Sequence, residues 1–474
     1  MIFASLTFLL VFIPLLIAVY FVIPAKYNKA RKYVLLLFSL FFYASGEPIY
    51  ILLLLGCVLL TWLLSRRIEE KKCFCMIFAV IINLLPLIYF KYAGFIVENV
   101  ATLTNTTIFH LPNTALPIGI SFYTFQMIGY VIDLYRERIL RQKNIAFLLL
   151  YILFFPQLIA GPIVRYKDVE DAIENNRVSW EKIKYGTGRF VIGLSKKVLI
   201  ANQVGYIATE IMSHPLYSIS TSLLWIAVIA FTLQIYFDFS GYSDMAIGLG
   251  SIFGFSFPEN FKKPYMSTSI TEFWRRWHIT LGSFFRDYVY IPLGGNRVNI
   301  VRWVFNVSIV WVLTGLWHGA AWNFVIWGVY YAVLLVMEKG FDKVTVLFNW
   351  RVPMWIKWTL TMFFVTLGWA IFMADGYSVN ELSTFISRLF RSAPLENKVT
   401  IASMNLFGYL PYMVLGVLIS CPTGSIFERF MKRINQIENK ALFVLHDIVI
   451  LAMLVLCIIY LVGGSYNPFI YYRF

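Results

Sequence analysis

The chain has 474 residues, of which 59% are hydrophobic, 18% aromatic and 14% charged. Soluble proteins carry about 25% charged residues, so this composition and a mean hydropathy of +0.72 exclude a soluble domain and favour a polytopic helical membrane protein. The net charge of +15 could suit nucleic acid, but the basic residues lie mainly between apolar runs, as at Lys26–Lys32 and Arg66-Arg67. That distribution predicts cytoplasmic loops, and nothing else indicates nucleic-acid binding.

The chain contains five cysteines, most of them in or beside apolar segments: Cys57, Cys73, Cys75, Cys421 and Cys457. In such places Cys behaves as a small hydrophobe, so we predict no disulfide framework and no metal site. The first apolar run, residues 5–23, has no basic region before it and no cleavage site after it. It is predicted to be a retained membrane helix.

Further apolar runs follow in order. A basic loop to Lys32 separates the first helix from a hairpin over 33–45 and 48–64, and another span is predicted at 74–90. The polar residues 91–114 are predicted to form an external loop.

The next two segments are interrupted by polar or helix-breaking residues. In segment 116–138, Gln126 and Asp133 share a helix face, which would form either a packed polar seam or the wall of a cavity. Residues 145–163 contain Pro156, Gly161 and Pro162 and fit a span or a re-entrant segment. Ser179 is a candidate N-cap of an interfacial helix that contains Lys196 and Lys197.

Asp238 and Asp244 interrupt the apolar stretch 223–255. Two carboxylates at this spacing could perform acid–base chemistry, but a helix break at Phe239–Ser243 with Asp capping explains them almost as well. We favour a structural or cavity-lining role.

The segment 262–297 is too rich in Arg and Lys for a simple span and is predicted to be interfacial or re-entrant. Its arginines could pair with phosphates or anchor the segment at the headgroups. The remaining predicted spans are 300–316, 320–337, 354–374, 402–420 and 443–463, with 375–401 outside the bilayer.

Two histidines are candidate site residues. His318 lies inside an apolar, aromatic run, and an ionisable side chain at membrane depth usually faces the bundle interior or a wet cavity. The alternative is a neutral histidine bonded to a carbonyl or packed on tryptophan. His278 lies forty residues earlier among Arg and Trp residues.

An ordered set of motifs resembles the membrane-bound O-acyltransferase (MBOAT) family, and most closely its branch that acetylates alginate and related bacterial polysaccharides. The motifs are Pro117–Phe122, Phe155–Leu158 with Ala160–Pro162, Phe239–Asp244, Phe273–His278 through Pro292–Gly295, and Gly315–Gly319. The ending Asn467–Phe474 also looks like that branch. The resemblance implies one all-α domain over 1–474, with roughly 10–13 membrane segments, including re-entrant or interfacial helices, around a central tunnel. The matching motifs cover about 115–330.

The resemblance also implies that His318 is the catalytic histidine and His278 a supporting polar residue. Histidine titrates near neutrality and suits acyl transfer from a thioester to a hydroxyl. His318 would activate the hydroxyl directly or, less economically, form an acetyl-imidazole. His278 would orient a substrate group or hold His318.

We therefore predict a multi-pass enzyme of the plasma or inner membrane that moves acetyl groups outward. The expected donor is cytoplasmic acetyl-CoA, with no tightly bound cofactor and no assigned binding residues for the donor. The expected partner is an extracytoplasmic SGNH-type acetyltransferase, and the final acceptor is a polysaccharide. Three alternatives remain: D-alanyl transfer to teichoic acid from a carrier protein, acylation of a lipid or protein, and proton-coupled transport. A transporter should contain internal repeats, and none is evident.

Overall fold

The computed structural model describes residues 3–106, 115–348, 351–392, 399–420, 440–464, 466–468 and 470. Three parts of the sequence analysis lie outside these described residues: Cys421, residues 107–114 of the predicted external loop, and residues 469 and 471–474 of the C-terminal motif. Within the described ranges every regular element is a helix. Contacts divide the chain into two compact units, one from 1–191, 242–259 and 469–474, the other from 192–241 and 260–468.

The first unit begins with ten helices. They are α1 (Ile13–Val22), α2 (Asn28–Ala44), α3 (Tyr50–Glu69), α4 (Cys73–Leu87), α5 (Ala93–Thr104), α6 (Ile120–Tyr135), α7 (Ile145–Leu153), α8 (Phe155–Leu158), α9 (Tyr166–Asn175) and α10 (Trp180–Ser195). The predicted N-cap at the last of these is confirmed, because Ser179 Oγ accepts a hydrogen bond from the Lys182 amide at 3.3 Å.

The remaining ten helices of the described chain belong to the second unit, except that residues 242–252 of α12 belong to the first unit. They are α11 (Asn202–Met212), α12 (Thr221–Ile252), α13 (Ile270–Arg276), α14 (Ile279–Phe285), α15 (Ile300–His318), α16 (Trp322–Leu347), α17 (Met354–Met373), α18 (Val379–Arg388), α19 (Leu410–Ser420) and α20 (Lys440–Val462). A π-helical turn, Lys196–Ala201, joins α10 to α11, and another, Arg286–Tyr290, follows α14.

Seven helices of the described chain are long and apolar enough to cross a membrane: Tyr50–Glu69, Cys73–Thr104, Thr221–Ile252, Ile300–His318, Trp322–Thr345, Met354–Met373 and Val444–Val462. An eighth crossing is possible by length if the bent pair Phe8–Val22 and Ala25–Ala44 counts as one span. The prediction of an all-α, multi-pass membrane protein is confirmed.

The predicted basic loop before Lys32 is shorter than expected, since α2 already begins at Asn28 and turns 108° from the preceding helix. Lys32 is buried, and its ammonium group donates hydrogen bonds to the Ile173 and Glu174 carbonyls. Those carbonyls belong to the last turn of α9, where a cation satisfies acceptors that the helix leaves open. The lysine therefore serves packing within the first unit.

The predicted external loop also begins later than expected. A π-helical turn, Ile88–Tyr92, joins α4 to α5, so helical structure continues to Thr104. The Thr102 and Thr104 hydroxyls donate to the carbonyls of Glu98 and Val100, each at 2.8 Å. Because the helix itself satisfies these hydroxyls, polar composition did not mark its end.

The predicted break at Phe239–Ser243 is wrong, because α12 continues through it. A Cβ atom on Gly241 would lie 2.7 Å from the Gly193 carbonyl oxygen and 3.2 Å from Lys196 Cβ. The glycine therefore permits close helix packing, with no turn at this position.

Two segments with uncertain predictions are built from short helices. Residues 145–163 contain α7 and the four-residue α8, and residues 262–297 contain α13, α14 and a π-helical turn. Neither segment contains a helix long enough to span. This outcome agrees with the interfacial or re-entrant interpretation of 262–297.

Helices α15 and α16 pack with their backbones unusually close. A Cβ atom on Gly315 would lie 2.2 Å from the Phe324 carbonyl oxygen, and one on Gly328 would lie 2.4 Å from that of Trp311. These pairings run in opposite directions along the chain, so the two helices are antiparallel. Glycines at the crossing allow this approach, which fixes the wall that carries His318.

Candidate active site

The second unit contains a cavity of about 750 Å³ between α13, α14, α15 and α16. One face of α15 lines it, with residues recurring every three or four positions: Trp303, Val307, Val310, Trp311, Thr314 and His318. At 1.5 Å per residue, Trp303 and His318 are about 22 Å apart along the helix. The cavity is therefore elongated.

Charged side chains line the cavity where α15 begins. Lys339 Nζ lies 3.5 Å from the centre of the Trp303 ring, and Glu338 and Asp342 lie close by on α16. Arg275 and Arg286 also line the cavity, and Asp287 accepts from Arg286 Nε at 2.7 Å. This charged region contrasts with the aromatic surroundings of His318.

His318 is the last residue of α15, and only 2% of its surface is exposed. Its ring makes edge contacts with Trp317, Trp327 and Phe372 at centroid distances of 5.0, 5.2 and 5.2 Å. Such packing excludes water and restricts the orientation of the imidazole. The helix and its aromatic neighbours thus hold a nucleophilic or basic nitrogen at a defined place in the cavity wall.

His278 also lines the cavity and is equally buried, with 2% exposed. It precedes the first residue of α14 with a left-handed backbone, φ +44°. Its Nδ1 lies 3.2 Å from Asn260 Oδ1, and its ring contacts Phe239 at 4.6 Å. His278 lies outside the seven long apolar helices, and burial lowers its pKa to about 3. The imidazole is therefore neutral near neutral pH.

The structure brings the two predicted histidines to one cavity, with Trp317 in contact with both. The Trp317 ring centre lies 5.6 Å from that of His278 and 5.0 Å from that of His318. An imidazole nitrogen that carries no proton can accept a proton or a hydrogen bond from a hydroxyl. The arrangement is chemically suited to acyl transfer.

The other polar candidates have structural partners. Asp238 and Asp244 form ion pairs, with Lys197 at 2.7 Å and with Arg189 at 2.6 Å respectively. Asp133 lies 3.6 Å from Arg138, and Gln126 is buried on the same helix. None of these four residues lines the cavity. The ion pairs of Asp238 and Asp244 agree with the structural role that the sequence favoured for them.

Sequence reasoning missed Asn260 and Glu338. Asn260 is fully buried against His278, although 18 residues separate them. Glu338 accepts hydrogen bonds from the Ile270 and Thr271 amides at 2.5 and 3.1 Å, so it caps α13 from α16. In the sequence, Asn260 is a polar residue beside a proline-containing loop, and Glu338 is a carboxylate near the end of an apolar helix. Neither signal indicates which residue is the partner.

A model of the MBOAT, membrane-bound O-acyltransferase family, matches residues 134–384, and the chain belongs to this family. The protein is therefore a multi-pass membrane O-acyltransferase. It is 35% identical to the probable alginate O-acetylase AlgI of Pseudomonas putida, over the full length of both chains. The peptidoglycan O-acetyltransferase of Helicobacter pylori is 35% identical over 77% of this chain and 76% of its own. The teichoic acid D-alanyltransferase of Bacillus subtilis is 30% identical over 66% of this chain and 82% of its own.

Proposed function

We propose that this protein transfers acetyl groups from cytoplasmic acetyl-CoA across the inner membrane for O-acetylation of an extracytoplasmic polysaccharide. The observation that carries the proposal is the shared cavity of His278 and His318 in a chain of this family. The named relatives that modify alginate and peptidoglycan support acetate as the acyl group and a bacterial polysaccharide as the final acceptor.

The charge distribution supports a cytoplasmic donor. Arg297 and Arg302 lie at the start of α15, and Lys339 and Lys343 lie near the end of α16. Basic ends of membrane helices face the cytoplasm, so the charged region of the cavity would open there. Arg275, Arg286 and Lys339 can attract the phosphates of coenzyme A, while its long arm carries the thioester toward His318. The donor acts as a substrate, with no tightly bound cofactor.

In the proposed reaction His318 is the general base. It takes the proton of the acceptor hydroxyl as the oxygen attacks the thioester carbonyl. The tetrahedral intermediate collapses, the C–S bond breaks, and the thiolate leaves and takes up the proton. The hydroxyl belongs to an extracytoplasmic SGNH-type partner, which then acetylates the polymer.

The test compares surface polymers from a deletion strain that carries wild-type protein, His318→Ala or His446→Ala at equal abundance. His446 is exposed on α20 and pairs with Asp447, which makes it a matched control outside the cavity. We expect base-labile acetate with the wild type and the control, and at least a hundredfold less with His318→Ala. Full acetylation by His318→Ala would remove the assigned base. Loss of ester-linked D-alanine instead of acetate would replace the proposed acyl group.

A further inference from the structure

The side-chain oxygen of Asn260 accepts hydrogen bonds from two neighbours. The Thr280 amide donates to it at 3.3 Å and the Thr280 hydroxyl at 2.9 Å, and His278 Nδ1 lies 3.2 Å away. A backbone N–H can only donate. The Asn260 atom that faces these groups is therefore the oxygen, and this removes the usual ambiguity between the amide oxygen and nitrogen.

This assignment determines the tautomer of His278. An amide oxygen has no proton to give, so Nδ1 must carry the shared proton. A neutral imidazole protonated at Nδ1 presents a lone pair at Nε2. Burial keeps the ring neutral, because it lowers the pKa of His278 to about 3. Nε2 is consequently an acceptor throughout the physiological range.

The Nε2 atom is buried and has no hydrogen-bond partner among the described residues. A buried acceptor without a partner is energetically unfavourable. Since His278 lines the cavity, a substrate hydroxyl could supply the absent donor. The rings that pack on His278, Phe239 and Trp317, carry no charge. Besides His278, the titratable groups that line the cavity are His318, Arg275, Arg286, Tyr290, Glu338, Lys339 and Asp342.

We propose that Asn260 is a positioning residue that holds His278 as the Nδ1–H tautomer, so that Nε2 accepts a hydrogen bond from the hydroxyl that receives the acyl group. The proposal rests on the proposed acyl transfer and adds a second contact to the acceptor. His278 orients the hydroxyl, and His318 takes its proton. The hydrogen bond from Asn260 thus acts on the reaction only through His278.

The direct test is NMR spectroscopy of ¹⁵N-histidine-labelled protein in lipid nanodiscs. His278→Gln identifies the His278 signals by their loss. We expect the neutral Nδ1–H tautomer between about pH 5 and 8, unchanged in Thr280→Val, which removes a different hydrogen bond to the same oxygen. Asn260→Leu should shift the population toward Nε2–H. A wild-type Nε2–H tautomer, or an Asn260→Leu protein that keeps Nδ1–H, would overturn the proposal.

The functional test is the pH profile of acetyl transfer by Asn260→Asp. Its carboxylate still accepts from Nδ1 but favours the imidazolium, so the His278 pKa should rise. A protonated Nε2 cannot accept the hydroxyl, and the acid limb of activity should move upward by about one pH unit or more, with activity retained at alkaline pH. Asn260→Leu should lose about tenfold or more in activity at every pH.

A profile for Asn260→Asp that coincides with the wild type at equal abundance would contradict the positioning role. Thermal midpoints show whether Asn260→Leu folds. If it does not, Asn260→Asp still tests the proposal, because its carboxylate can accept the hydrogen bond from His278 Nδ1. If wild-type protein transfers no acetyl group, the proposed function fails, whereas the NMR measurement still tests the contact between Asn260 and His278.

Discussion

The buried imidazole of His278 should make stability depend on pH. Burial lowers its pKa to about 3, whereas histidine in an unfolded chain titrates near 6.5. Between these values the unfolded state binds the proton and the folded state does not, so the free energy of unfolding increases with pH. The contribution is complete above about pH 6.5 and decreases by about 1.4 kcal/mol per pH unit toward pH 3. Thermal midpoints in detergent should therefore fall more steeply for the wild type than for His278→Gln, and parallel curves would contradict this.

The buried ion pair between Lys197 and Asp238 is expected to be structural. Its side chains are 4% and 0% exposed, and Lys197 also donates to the Pro468 carbonyl. Loss of one partner leaves an uncompensated charge, so Lys197→Met or Asp238→Leu should each lose about 3–5 kcal/mol. The double variant should recover most of that stability and its acetyl transfer. A stable but inactive double variant would instead return Asp238 to the acid–base candidates.

At the residue scale, functional residues could be predicted where an ionisable side chain lies in an otherwise apolar segment. His318 and His278 were predicted because imidazoles among apolar and aromatic residues need a reason to be there. Asn260 was not, since its role depends on how the segment 260–278 folds back on itself, with left-handed backbone at Lys263 (φ +50°) and at His278 (φ +44°) on either side of α13. Sequence patterns do not reveal that these two ends meet.

At the element scale, the close crossing of α15 and α16 provides a sharp test. Gly328→Ala would place a Cβ atom 2.4 Å from the Trp311 carbonyl oxygen, so the helices must separate. Overpacking of this kind costs about 1–3 kcal/mol, and displacement of α15 should also reduce acetyl transfer. Gly340→Ala on the same helix meets nothing within 4 Å and should be neutral or slightly stabilising. Equal thermal midpoints and activities for the two variants would refute the role of the crossing.

Apolar runs predicted the existence of the long helices well, but polar residues within them misled the prediction of their ends. Gly241 suggested a break in α12, yet its lack of a side chain allows contact with Gly193. Thr102 and Thr104 suggested a loop, yet their hydroxyls bond within α5. In both cases the deciding contact is a backbone atom, which composition does not reveal.

At the scale of the whole molecule, charge rather than packing indicates which side of the membrane each helix end faces. The helical segment Cys73–Thr104 has 32 residues, about 48 Å at 1.5 Å per residue, and exceeds a hydrocarbon core of about 30 Å. Basic residues precede it at Arg66–Lys72, whereas its far end carries threonines. The positive-inside rule therefore assigns its start to the cytoplasm, the same side as the proposed donor.

Cysteine labelling tests this orientation. Cys73 is exposed at the start of the segment, and the other cysteines can be replaced by alanine to leave it as the single thiol. A membrane-impermeant maleimide should then label Cys73 in inverted vesicles but not in intact spheroplasts. A Thr104→Cys variant without Cys73 should give the opposite result, because that position is exposed at the far end. Labelling of Cys73 from outside would reverse the segment, and the same charge argument could then no longer support entry of acetyl-CoA from the cytoplasm.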